Sequence, residues 1–260
     1  MTTSLLNSLL RALLRWGAAL VFCLPLRHRS HFWARACGML FPLLLLAQLL
    51  DPLAQSTTLW QQQLLLLVLY VSFFALLGGM IYLCTDINKK GAMYCAVWSL
   101  LIAQCAYEGW CFLELQFARY GHPLNMASPW AVLVQLLSGA VFFAAVYILL
   151  ARQLPYKGEY HIGPRQLFSA FFIGILFMVQ AAVLDNFRAE QFPRSVIATI
   201  LIGQFYFITL LYFQSELFKK SAMEKEMNAL NLLYERQRQQ YQVARQNVQI
   251  INKRCHELKV

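Results

Sequence analysis

The sequence predicts an all-α protein: a polytopic membrane helix bundle of about seven spans with a C-terminal cytoplasmic coiled-coil helix. Three observations point there. Of 260 residues, 59% are hydrophobic and only 13% are charged, with a mean hydropathy of +0.50, whereas soluble domains carry about a quarter of their residues charged. The apolar residues gather into runs long enough to cross a bilayer, which takes roughly 20 residues per helix. From Gly203 to Val260 neither a proline nor a second glycine interrupts the chain, so a helix can continue out of the last apolar run. Little length is left for an additional catalytic domain, which takes about 100 to 200 residues.

Taken in order, the expected spans are Leu5 to Leu26, Trp33 to Leu50, Leu59 to Cys84, Ala92 to Leu115, Trp130 to Ala151, Leu167 to Leu184 and Ser195 to Tyr212. Trp33, Trp60 and Trp130 sit near span ends, where indoles anchor to the interface. The N-terminus lacks a basic n-region and a small-residue cleavage site, so it reads as a retained segment rather than a signal peptide. Within it Arg11 and Arg15 share one helix face, and each would cost a few kcal/mol facing lipid at the bilayer centre. Either they face the bundle, with Glu108 or Glu114 as partners, or residues 4 to 15 lie along the interface and the bundle has six full spans. No internal repeat of the kind found in many transporters is visible.

The loops set the orientation. Arg27, Arg29 and Arg35 follow the first span, Lys89 and Lys90 the third, Arg152, Lys157 and Arg165 the fifth, and Lys219 and Lys220 the seventh. The alternate loops are poorer: Arg119 stands alone after the fourth span, and Arg188 and Arg194 are offset by Asp185 and Glu190. The positive-inside rule then puts the C-terminus in the cytoplasm of a multi-pass cell-membrane protein. The net charge of +10 is spread between apolar segments, which favours contact with anionic lipid over nucleic acid. Cys23, Cys37, Cys84, Cys95, Cys105, Cys111 and Cys255 form no CxxC pair and mostly fall in apolar runs, as small packing residues do. His28, His31, His122 and His161 have no ligand-like spacing, so neither a metal nor a cofactor is expected in this chain.

Two domains follow: a transmembrane sensor bundle over residues 1–217 and a signalling and dimerisation helix over residues 218–260. In the second, apolar positions recur at spacings of four and three: Met223, Met227, Leu230, Tyr234, Gln237, Tyr241, Ala244, Val248, Ile251, Cys255 and Leu258. With Met223 at d and Met227 at a, the register holds for about five heptads. Gln237 and Ala244 are poor core residues, and Arg254 would repel Lys259 across a parallel pair, so the expected homodimer is marginal. The alternative is a lone amphipathic helix on the inner leaflet. One unbroken helix from Gly203 to the end would be roughly 85 Å long and would transmit a tilt, rotation or piston shift. In this register His256 falls at b, off the seam and exposed, beside Glu257, whose carboxylate could orient the imidazole.

The run "INKRCHELK" after a polar coiled coil joined to a polytopic bundle resembles the phosphoacceptor box of bacterial sensor histidine kinases of the GHKL type. It is especially similar to the peptide-pheromone receptor kinases of accessory gene regulator systems. Arg254, His256, Glu257 and Lys259 fall on the box, and "PLRHRSHFWAR" is similar to the basic loop common in that group. The resemblance implies that His256 accepts the γ-phosphoryl group of ATP, that Glu257 is its acid-base neighbour, and that a response regulator is the downstream partner. It also implies an ATP-binding domain with Mg, which residues 1–260 do not contain; no phosphate-cradling glycine motif is present. The chain by itself is therefore expected to be the sensing part and not a competent kinase, as in a truncated product.

Polar residues within spans are the candidates for sensing: Gln104, Glu108, Glu114, Gln135, Gln180, Gln204 and Arg11, although most such residues serve as interhelical glue. Tyr107, Trp110 and Phe112 surround Glu108 in the densest aromatic and acidic patch. Gln104, Glu108, Trp110 and Glu114 are accordingly the expected contacts for an extracellular peptide or a small hydrophobic ligand. Two other classes stay open. A transporter would explain Glu108 and Glu114 but not a heptad stalk, and a non-catalytic scaffold would dimerise through residues 221–260.

Overall fold

A computed structural model of the chain describes residues 2–55, 59–119, 129–153, 163–187 and 194–257. It contains the helices α1 (Thr2–Cys23), α2 (Phe32–Gly38), α3 (Leu40–Gln55), α4 (Leu59–Cys84), α5 (Lys89–Arg119), α6 (Pro129–Leu149), α7 (Pro164–Phe187) and α8 (Arg194–Glu257), and a 3-10 turn at Ala151–Gln153. Among the described residues there is no strand, only one isolated bridge between His28 and Thr85. The expected residues His122, Lys157, His161, Arg188, Glu190, Leu258 and Lys259 lie outside the described ones. The chain divides into two compact units, Met1–Tyr212 and Phe213–Val260.

In the first unit α5 is the central helix, buried along nearly its whole middle from Tyr94 to Cys105. It packs against α1, α4, α6 and α7. Phe22, Tyr70, Phe73, Leu77, Leu101, Ile102 and Phe177 fill the core between these helices. The outward faces are apolar too: Val141 and Phe168 are at least 70% exposed, an arrangement suited to hydrocarbon rather than water. Among the described residues, three helical stretches are long and apolar enough to cross a membrane: Leu64–Cys84, Lys89–Ala118 and Trp130–Leu149. That is consistent with a membrane location.

Close approach between helices depends on small residues, as is usual where no hydrophobic effect drives association. A Cβ on Gly17 of α1 would lie 2.9 Å from the ring of Phe143 on α6, and one on Gly139 of α6 would lie 3.3 Å from Leu14. The two glycines therefore set the α1–α6 spacing from opposite sides.

The segment expected as one span from Trp33 to Leu50 is divided at Met39, between α2 and α3. Pro42 explains the break, since it has no N–H for the Gly38 carbonyl and its ring crowds that same group. Here the indole of Trp16 donates to the Ala36 carbonyl at 2.7 Å, so a neighbouring helix satisfies backbone at the bend.

The second unit is helical from Phe213 to Glu257 as part of α8. All described side chains from Met223 to Asn252 are exposed.

Candidate functional site

The charged residues of α1 are housed by α4 and α5. Arg15 is buried, with its guanidinium 3.9 Å above the ring of Phe73. Arg11, one turn earlier, donates to the Tyr107 hydroxyl at 2.9 Å and lies 5.0 Å from the centre of that ring. Both arginines thus face into the bundle. Ring faces attract cations, by about 2 kcal/mol where water is excluded.

Gln104 extends the polar cluster. Its amide donates to Glu108 Oε1 at 2.9 Å, and its carbonyl oxygen accepts from the Tyr70 hydroxyl at 3.4 Å. Gln104 and Glu108 are four residues apart, hence on one face of α5. Arg11, Arg15, Tyr70, Gln104 and Tyr107 line a cavity of about 20 Å³, room for roughly one water. The site is a compact polar knot with no space for an organic ligand.

A second, much larger cavity of about 820 Å³ opens between α5 and α6, with Leu14 of α1 and Phe205 of α8 on its walls. Trp110, Phe112, Trp130, Gln135 and Phe142 contribute to it. Of the four expected ligand contacts, Trp110 lines this cavity, Gln104 lines the small one, Glu108 bonds to Gln104, and the half-buried Glu114 lines neither. Tyr70, Phe73 and Phe205 were not among the expected residues. Nothing in an aromatic residue within an apolar run distinguishes a cation's seat from ordinary packing.

The basic loop after α1 also has a defined place. Its backbone pairs with the turn after α4: Arg29 N–H donates to the Cys84 carbonyl at 3.0 Å and Asp86 N–H to the Arg27 carbonyl at 2.8 Å. Arg35 reaches the Leu83 carbonyl at 2.8 Å, and His28 Nε2 lies 3.2 Å from the Cys23 carbonyl. These side chains serve the carbonyl ends of α4 and α1, where donors and cations are favoured by the unpaired C=O groups. Arg29 adds an ion pair with Asp86 at 3.7 Å. His31 stands before α2 with φ of 58°, a left-handed conformation uncommon outside glycine.

Cys23, Cys84, Cys95 and Cys105 are buried and free, Cys37 is exposed and Cys111 is partly buried. Among the described residues no group of three His, Cys, Asp or Glu is placed to hold a metal ion. At the far end of α8, His256 and Glu257 fall on its last helical turn; the side chains beyond Asn252, Cys255 included, are outside those described.

No family model, no curated protein and no solved structure matches the chain.

Proposed function

We propose that this chain is the sensing and dimerising part of a membrane signalling protein of the two-component histidine-kinase kind. A multi-pass bundle with its C-terminus in the cytoplasm binds a ligand and shifts its last helix. Two copies of that helix pair as a parallel coiled coil and present His256 to a phosphoryl donor, ATP with Mg held by a GHKL-type domain. A response regulator then takes the phosphoryl group.

The observation that carries this reading is the surface of α8. Met223, Met227, Leu230, Tyr234, Tyr241, Val248 and Ile251 are each between 56 and 71% exposed, and all seven occupy a or d of one heptad register. An apolar stripe of that length calls for a cover. A second copy supplies the same stripe in the same register, so the match is automatic for a parallel pair. The pairing of the α1 and α4 end loops supports the orientation, because it gathers Arg27, Arg29 and Lys89 toward one end, as positive-inside topology requires.

The same stripe also favours a second reading, a non-catalytic scaffold that dimerises through residues 221–260. Cysteine crosslinking of the full chain in membranes tests the dimer common to both. In a Cys255→Ser background, which removes the native thiol from the seam, oxidation is expected to link Ile251→Cys efficiently and Asn252→Cys poorly, and a flat profile across positions 248 to 252 would remove the parallel pair. Phosphoryl labelling at His256 separates the sensor from the scaffold.

A further inference from the structure

We propose that the small cavity between α1, α4 and α5 binds one monatomic anion, a halide such as chloride. Its wall is built by Arg11 and Arg15 of α1, Tyr70 of α4, and Gln104 and Tyr107 of α5, among others. The two arginines are its charged lining residues, and among the described residues no acid lines it. At about 20 Å³ the space holds roughly one body the size of a water. Every lining side chain is therefore a neighbour of whatever enters. A carboxylate, sulfate or phosphate, with several heavy atoms, is too large, so lipid headgroups and acidic peptides are excluded.

Charge decides between an anion and a water. Glu108 is reached through Gln104, which lines the cavity and donates to it. One carboxylate balances one guanidinium, so Arg11, Arg15 and Glu108 together keep an excess positive charge whichever arginine the carboxylate serves. Arg15 is 8% exposed and Glu108 1%, and an excess charge among buried groups is costly. The rings of Phe73 and Tyr107 attract the guanidinium groups but bring no net charge. Water is neutral and leaves the excess as it is. A halide cancels it, and it accepts from guanidinium groups, which carry donors only.

An ion in this position joins α1 to both α4 and α5. The inference goes beyond the signalling reading and stands apart from it: its failure leaves the His256 assignment standing, and failure of that assignment leaves the anion site standing.

The test uses the full chain in neutral maltoside micelles and the linewidth of the chloride nuclear magnetic resonance signal. Sodium gluconate, whose anion is too large to enter, holds the ionic strength constant. The native chain should broaden the chloride line, bromide should remove the excess width, and its dependence on chloride concentration gives the affinity. Arg15→Met cancels the excess charge and should weaken binding at least tenfold. Glu108→Gln raises the excess charge and should tighten binding roughly tenfold, the effect of a unit charge several ångströms away at an effective dielectric constant near 20. A merely structural role for these residues does not give opposite shifts. If Arg15→Met fails to fold, Glu108→Gln decides alone. No broadening by the native chain would assign the cavity to water and overturn the proposal, and so would an affinity that Glu108→Gln leaves unchanged or lowers, or one that Arg15→Met leaves unchanged.

Discussion

The guanidinium of Arg11 and the hydroxyl of Tyr107, 96 residues apart in sequence, are joined by a 2.9 Å hydrogen bond, with the cation 5.0 Å from the centre of the same ring. A charge that would be costly in lipid is thereby held inside the bundle, and α1 is tied to α5 at that point. Tyr107→Phe keeps the ring and removes the hydroxyl. We expect a loss of about 1.5 to 3 kcal/mol, the usual worth of a hydrogen bond to a charged group. Thermal unfolding in detergent micelles, followed by helical circular dichroism, reads it as a lowered midpoint; an unchanged midpoint would show that the hydroxyl is dispensable.

Pro42 divides what would otherwise be one helix. Pro42→Ala restores the N–H that the Gly38 carbonyl lacks and removes the ring that crowds it. The expected outcome is slower amide hydrogen exchange across residues 39–43, as α2 and α3 fuse. Unchanged exchange there would mean that the break has another cause, such as the Trp16 bond to Ala36.

Gly17 meets the ring of Phe143 at a distance that leaves no room for a methyl group, 2.9 Å from where its Cβ would be. Gly17→Ala should cost about 1 to 3 kcal/mol through overpacking. Phe143→Leu, which shortens the opposing side chain, should recover part of that loss in the double variant. Additive losses would place the strain elsewhere.

The apolar runs made the helices legible because spanning length and composition are one-dimensional properties. Leu59–Cys84 has the bounds expected of it, and the long helix after Gly203 follows from the absence of breakers. The break at Met39 was less visible. Proline is tolerated in membrane helices when neighbouring groups satisfy backbone at the bend, and Trp16, which donates to the Ala36 carbonyl there, lies more than twenty residues upstream of Pro42. The pairing of the α1 and α4 end loops was hidden for the same reason: charge counts reveal that Arg27, Arg29 and Arg35 are basic, not that Arg35 reaches the Leu83 carbonyl. The aromatic and acidic patch around Glu108 read as one site. The structure divides it, because Gln104 lines the small cavity with the arginines of α1 and donates to Glu108, while Trp110 lines the large cavity toward α6. The spacing of two already sets Glu108 and Trp110 on different sides of α5; which neighbouring helix each side meets depends on the angular placement of α5 in the bundle, and a single helix's periodicity does not contain that.

Phosphoryl labelling at His256 tests the central claim most directly. Membranes holding the chain are incubated with a GHKL-type ATPase domain, Mg and γ-labelled ATP, and the label is tested for the acid lability and base stability of a phosphoramidate. The account predicts such a label on the native chain and its loss in His256→Gln. Label that persists undiminished in His256→Gln, or no label on the native chain, would contradict the account and leave the scaffold reading in its place.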